Sequence, residues 1–356
     1  MRQGVLKVFP QAQTHALPLA DGGEGTVEAL LHGAGGTAQV ATVTGPLGDE
    51  VEAVWGLLPG GRAVIEMAQA SGLPLIPPDR RDALRASTYG TGQLMKAALD
   101  AGCRELLIGI GGSATTDGGT GALAALGAKF LDAQGQELSP GGAALNDLHS
   151  IDLSGLDARL GNVACTVLCD VTNPLFGENG AAFIYGPQKG ASPEHVNILD
   201  SGLQRLAQIS VQALGEDKSH VPGAGAAGGL GFALAAYCNA QMKSGIEVVL
   251  ETAGFAEKLQ DAALVLTGEG ALDAQTLSGK TIAGVCRVAG EKNVPVIAFG
   301  GKVALCGEQL DELGLLSAFP IADAPLTLEQ CLARAGELLS GAVERALRVY
   351  RVNDGC

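Results

Sequence analysis

The stretch I-G-I-G-G-S-A-T-T-D-G-G-T-G-A-L-A-A-L-G, residues 108 to 127, decides the reading of this chain. A β-type run, Leu106-Leu107-Ile108, enters it. Gly111, Gly112, Ser113, Ala114 and Thr115 follow, then Thr116 and Asp117, and the Ala/Leu run beyond reads as a helix. Glycine lets a backbone approach an anion closely because no Cβ intervenes. Amides at a helix start favour negative charge. Ser113, Thr115 and Thr116 add hydroxyl donors, and Asp117 could hold Mg²⁺ or receive a hydroxyl proton. The segment therefore reads as a phosphate site with an acid built in. The plainer alternative is a tight strand-to-helix turn in which glycine serves packing alone.

Totals bound what surrounds it. A chain of 356 residues, 47% apolar, can bury a large core and is long enough for two domains. Its 53 glycines are about twice the average share and are not periodic, which excludes collagen. A net charge of −15 without a basic patch argues against nucleic acid as a partner but not against ATP. The eight cysteines form no C-x-x-C. Cys165 and Cys169 read as buried thiols, and a cytoplasmic setting fits. No signal peptide or membrane-spanning apolar run is seen.

Working outward, Met1–Val8 reads as the end of a helix, and 16–19 as a strand leading into A-D-G-G-E-G-T, residues 20 to 26. Asp21, Gly22, Gly23 and Glu24 form a candidate substrate loop, since three glycines in four positions exceed what a helix cap needs. A hairpin is expected from Thr37–Thr44 and 51–58, then a strand over 63–67 with a polar patch from Glu66 to Gly72. Ser87 and Thr88 open a helix to Asp100 and are a second anion candidate, or plain caps. A strand over 163–170 ends at Asp170, with Asn173 beyond it, where open α/β sheets collect ligands. Lys189, in the turn G-P-Q-K-G, reads as a solvated residue. Pro193–Leu214 reads as an amphipathic helix. Gly223, Gly225 and Gly228 spell G-x-G-x-x-G but follow no strong strand, so a dinucleotide-dependent oxidoreductase is a weak reading. A strand over 263–267 leads to Glu269, Asp273 and Lys280. Residues 274–281 match a loose P-loop, rejected because the strand ends about seven residues too early. A strand over 294–301 and a long helix over 326–348 follow, with a loose tail from 349.

Collected, these motifs resemble the bacterial glycerate kinase family, type-1 group. The matching stretches are L-A-D-G-G-E-G-T (19–26), 44–48, 87–92, I-G-G-S-A-T-T-D-G-G (110–119), 170–177, 223–231 and 267–280, in family order. The resemblance implies an α/β fold of two α/β domains, one inserted in the other, with mainly parallel sheets flanked by helices. The expected division is 1–60 plus 290–356, Rossmann-like, with 61–289 inserted. It implies ATP-dependent, Mg²⁺-assisted phosphorylation of D-glycerate to 2-phosphoglycerate, without membrane or nucleic-acid partners. A homodimer is the assembly allowed for. For such a reaction the residues suggest that Gly111, Gly112, Ser113, Thr115 and Thr116 bind glycerate or the travelling phosphoryl, with Gly22, Gly23, Glu24, Ser87, Thr88 and Asn173 as further binding residues. Asp21 or Asp117 orients the substrate hydroxyl, Asp170, Glu269 or Asp273 holds Mg²⁺, and Lys280 neutralises phosphate charge. Family members begin with a strand, a D-S-F-K-type loop and a helix. Here Met1 falls inside that helix, so a misassigned start or a truncation is expected to have removed a lysine and a serine able to reach phosphate. The alternatives are a 3-phosphoglycerate product, a kinase for a related hydroxy acid, or a non-catalytic relic that binds ligand.

Overall fold

Short runs of Val, Leu and Ile without central charges make strands that must be covered on both faces. In the computed structural model, which describes residues 1–273, 276–277 and 280–353 apart from the side chains of Lys280, Val352 and Asn353, such runs form the centre of each of two units.

The larger unit is Pro18–Val249. It contains β1 (Thr37–Thr44), β2 (Glu50–Leu58), β3 (Arg62–Glu66), β4 (Glu105–Gly109), β5 (Lys129–Leu131), β6 (Ser150–Asp152), β7 (Ala164–Leu168) and β8 (Gln241–Lys243). Six of these make one sheet in the order β1-β2-β3-β4-β7-β8, while β5 and β6 pair as a separate ribbon. β1, β2 and β3 run antiparallel; β3, β4, β7 and β8 run parallel. Side chains alternate across a strand. Accordingly Ile65, Leu106, Ile108 and Val167 join one core, with residues of the helices Tyr89–Asp100, Pro193–Leu214 and Leu230–Tyr237. Val64, Leu107 and Leu168 join the other, with Val27, Ala29 and Leu30 of the helix Thr26–Ala34 and with Val248 and Val249. Pro193–Leu214 shows how local sequence sets an element. The Ser192 hydroxyl accepts from the His195 amide at 3.2 Å, proline takes the first helical position, and Gly215 at φ +76° ends the helix.

The second unit is Met1–Leu17 with Leu250–Cys356. Its sheet is β9 (Val265–Leu272), β10 (Val296–Val303) and β11 (Ser317–Pro320), all parallel, in the order β11-β10-β9. The helices Arg2–Val8 and Ala335–Asn353 pack beside it through Val8, Val343, Ala346 and Leu347. Among the described residues no helix is long and apolar enough to cross a membrane.

Several expectations are corrected. The chain passes between units at 17/18 and 249/250, not near 60 and 290. The hairpin β1–β2 continues onto β3 through Trp55↔Ile65, so it belongs with the inserted segment. β9 pairs with β10, so residues from 250 belong with the ends. Residues 16–19 form no strand; Pro18 lacks the amide a ladder needs. β9 does not stop at Thr267 but stays paired to Leu272 against Val303, past Gly268 and Gly270. The spacing objection to a P-loop therefore fails, and Ala274, Gln275, Ser278 and Gly279 lie outside the described residues. The long helix expected over 326–348 is two, Leu328–Ala333 and Ala335–Asn353. They are interrupted at Arg334, whose guanidinium pairs with Glu337 at 2.7 Å and Asp323 at 3.6 Å. Residues 349–353 are not a loose tail but the last turn of the second helix.

Candidate functional site

In an open α/β sheet, ligands collect beyond the carboxyl ends of the parallel strands. In Pro18–Val249 that edge carries Glu66 at the end of β3, Gly109 to Asp117 after β4, Asp170 after β7 and Ser244 after β8. The loop 20–26 meets it. The Gly111 amide donates to the Gly22 carbonyl at 3.1 Å. A Cβ on Gly111 would sit 2.7 Å from the Gly23 Cα, so glycine is required there by backbone lying on backbone. The two glycine-rich loops singled out in the sequence thus meet at one place, where the glycines let backbone lie on backbone.

Two acids behave differently at this edge. Asp21 is exposed, its Oδ1 accepting the Gly23 amide at 3.3 Å; Glu24 is exposed beside it. Glu66, passed over as part of a polar patch, is buried. Its Oε1 accepts the Val27 amide at 2.6 Å in the first turn of the helix Thr26–Ala34, while Oε2 has no hydrogen-bond partner. It ties the loop 20–26 to the end of β3 and leaves a second oxygen in reserve. A sequence signal existed, since a strand ending in an acid before small residues is where a sheet presents ligands.

Behind the loop lies a buried polar cluster. Asp117 is fully buried. Its Oδ2 accepts from the Thr88 amide and hydroxyl, both at 2.8 Å, and from the Gly121 amide at 3.2 Å; Oδ1 accepts from the Gly119 amide at 3.1 Å. With four bonds accepted in the interior, Asp117 holds the loop together. Burial pushes its carboxyl above the usual range, against the pull of those hydrogen bonds. Thr88 in turn accepts the Ala122 amide at 2.9 Å, so its hydroxyl joins two helix starts. Ser87 Oγ accepts the Tyr89 amide at 3.2 Å, the capping alternative.

Lys189 is the largest correction. It is 2% exposed, not solvated. Its Nζ donates to the Thr115 carbonyl at 2.6 Å. Burial lowers its pKa to about 7, with Asp117 favouring the charged form. Thr115 Oγ1 reaches the Ala227 carbonyl at 3.4 Å, and the Gly118 amide donates to the Gly228 carbonyl at 2.9 Å. The segment 223–231 is therefore a brace for the loop, not a dinucleotide fingerprint, and no strand precedes it. The Ser113–Ala114 segment is sewn to the turn after β3: the Ala114 amide donates to the Ser71 carbonyl at 2.9 Å and the Leu73 amide to the Gly112 carbonyl at 2.8 Å. Thr116 Oγ1 is buried without a hydrogen-bond partner.

The remaining candidates belong to other segments. Asn173 spends both ends on its own loop, donating to the Asn179 carbonyl at 2.8 Å and accepting the Tyr185 hydroxyl at 2.7 Å. Of the metal candidates, Asp170 belongs to Pro18–Val249 and Glu269 and Asp273 to the other unit. Thr276 Oγ1 donates to Glu269 Oε1 at 2.5 Å and accepts the Asp273 amide at 3.1 Å. The Lys280 side chain lies outside the described residues. Among the described residues, no three His, Cys, Asp or Glu side chains gather as a metal site. Cys165 is a buried free thiol whose pKa burial raises, and Cys169 Sγ donates to the Val171 carbonyl at 3.3 Å.

Known proteins were compared with this geometry. The glycerate kinase family matches residues 1–351. The chain is 48% identical to the glycerate kinase of Bacillus subtilis (strain 168) over 340 residues, 95% of this chain and 89% of that one. It is 46% identical to the glycerate 2-kinase of Escherichia coli (strain K12) over 352 residues, 99% and 91% of the two chains. A crystal structure from Salmonella typhimurium LT2, assigned as a glycerate kinase 2, superposes with a TM-score of 0.90 at 44% identity, covering all of this chain and 93% of that one. With a family match over nearly its whole length, relatives at this identity and the same α/β architecture, the chain belongs to the glycerate kinase family.

Proposed function

We propose that this protein transfers the γ-phosphoryl group of ATP to D-glycerate and releases 2-phosphoglycerate, as the name of its Escherichia coli relative suggests. The observation that supports this best is the meeting of the loops 20–26 and 109–117 at the carboxyl edge of a parallel sheet, through the Gly111–Gly22 hydrogen bond. Phosphoryl transfer asks for positioning and charge neutralisation more than for covalent chemistry by the protein. Gly111, Gly112, Ser113, Thr115 and Thr116 offer amides and hydroxyls to the glycerate carboxylate or the travelling phosphoryl. Asp21, exposed at the loop, orients the substrate hydroxyl and accepts its proton. Glu66 supports that loop from behind.

Mg²⁺ binds oxygen and commonly takes one or two carboxylates plus phosphate and water. Asp170, Glu269 or Asp273 would supply such a carboxylate. Bound with ATP, the ion would neutralise phosphate charge. Lys280, at the first position of the helix Lys280–Glu291, would contribute in the same sense.

ADP release coupled to NADH oxidation, with D-glycerate, ATP and Mg²⁺, tests the reaction. Phosphorus NMR of the product tests the position. ADP formation that does not depend on glycerate sinks the proposal, and a 3-phosphoglycerate signal would replace the product. Asp273→Asn is expected to lower kcat by about 100-fold or more if Asp273 holds the metal. Near-normal turnover would remove it from the site.

A further inference from the structure

A lysine ammonium is strongly hydrated, and a lysine this deeply buried must be held for a reason. Lys189 lies 74 residues along the chain from the carbonyl it binds, so the contact is made by the fold and not by its own turn. Asp117 is the charged group that acts on it, and Arg81 donates to the carbonyl of the preceding residue, Gln188, at 3.1 Å. The Gly228 backbone approaches the Thr115 carbonyl closely from a second direction, since a Cβ built on Gly228 would lie 1.9 Å from that oxygen. A trans peptide carries its N–H opposite its C=O. Anchoring the Thr115 carbonyl therefore fixes the direction of the Thr116 amide as well.

We propose that Lys189 is a positioning residue of the kinase, gripping the Thr115 carbonyl so that the loop Gly111–Thr116 keeps the form that receives the anion of glycerate. This rests on the function proposed above. Lys189 does not touch substrate; it acts through the loop. The protonated form supports the grip best, because a hydrogen bond from a charged donor is the stronger one. As pH rises through about 7 the ammonium loses its proton, and glycerate binding should weaken in step.

The test is steady-state kinetics of the full chain with both substrates varied, for the wild type, Lys189→Met and Lys189→Arg. Losing a hydrogen bond from a charged group should raise the glycerate KM of Lys189→Met on the order of ten-fold or more, with the ATP KM and kcat changed far less. In the wild type, kcat/KM for glycerate should fall above about pH 7 while the ATP KM stays level. Arginine remains charged throughout that range, so Lys189→Arg should recover affinity and lose the alkaline fall. A folded Lys189→Met with unchanged glycerate KM overturns the inference. If that variant does not fold, the wild-type profile decides, and a glycerate KM flat from about pH 6 to 9 overturns it too. Turnover with a flat profile defeats this inference alone; absence of any glycerate-dependent turnover defeats the kinase reading, and this inference with it.

Discussion

Asp117→Ala is expected to cost the Pro18–Val249 unit about 3–5 kcal/mol, because it leaves three amides and a hydroxyl in the interior without their acceptor, at about 1–3 kcal/mol for each buried group left unpaired. The variant strips acceptors from the amides of Thr88, Gly119 and Gly121 and from the Thr88 hydroxyl, and leaves Lys189 without the carboxylate that favours its charge. Trp55 is the single tryptophan and lies buried in this unit's core, so its fluorescence during urea unfolding reports on this unit. A loss below about 1 kcal/mol, the worth of one ordinary hydrogen bond, would show that the cluster does not hold the loop. The pH dependence carries its own sign. Asp117 has a raised folded pKa, so the folded state binds the proton more tightly, and this group's contribution falls as pH climbs from the usual carboxylate range. Lys189 titrates near 7 when folded and at 10.5 when exposed, so its contribution to stability rises as pH climbs between those values. The second trend runs opposite to the activity trend expected for the same proton, which separates a stability effect from a binding effect.

Gly228→Ala should lower kcat/KM for glycerate on the order of 100-fold, the scale on which a displacement of about 1 Å at a reacting centre is felt. Gly228 has φ +67°, a region that costs an L-residue roughly 1–2 kcal/mol. A methyl there would also meet the Thr115 carbonyl oxygen at 1.9 Å, and backbone cannot give way without moving the loop. Gly161→Ala is the control, because a Cβ there meets nothing within 4 Å. Near-normal kinetics in Gly228→Ala would mean that residues 113–118 tolerate displacement and do not position the substrate.

Local chemistry was legible where periodicity and capping act alone. Ser192-Pro193 and Gly215 bracket their helix as the sequence requires, and the apolar centres of β4 and β7 fall where runs of Leu, Ile and Val put them. The loops 20–26 and 109–117 could each be marked, but not their meeting, because the Gly111–Gly22 bond joins segments far apart in the chain. Lys189 misled for the same reason. A lysine in G-P-Q-K-G is chemically a surface turn, and only the Thr115 carbonyl and Asp117 make its burial tolerable. For Asp117 the sequence pointed to an acid among glycines, but not to the amides of Thr88, Gly119 and Gly121 and the Thr88 hydroxyl that converge on it. The end of β9 was misplaced because Gly268 and Gly270 weaken a strand locally, while its ladder to β10 carries it on to Leu272.

The chain of Pro18–Val249 is continuous, whereas the other unit is assembled from both termini. On the ribosome the two therefore mature at different times. Once Val249 has cleared the exit tunnel, the larger unit has every strand it needs, and domains generally fold as units during synthesis. The helix Arg2–Val8 is made well before Ala335–Asn353 and must wait for it before Val8 can be covered by Val343 and Leu347. Translational pausing after Val249 has cleared the tunnel should favour the yield of native enzyme, and the early helix is the segment that a nascent-chain chaperone would have to shelter meanwhile.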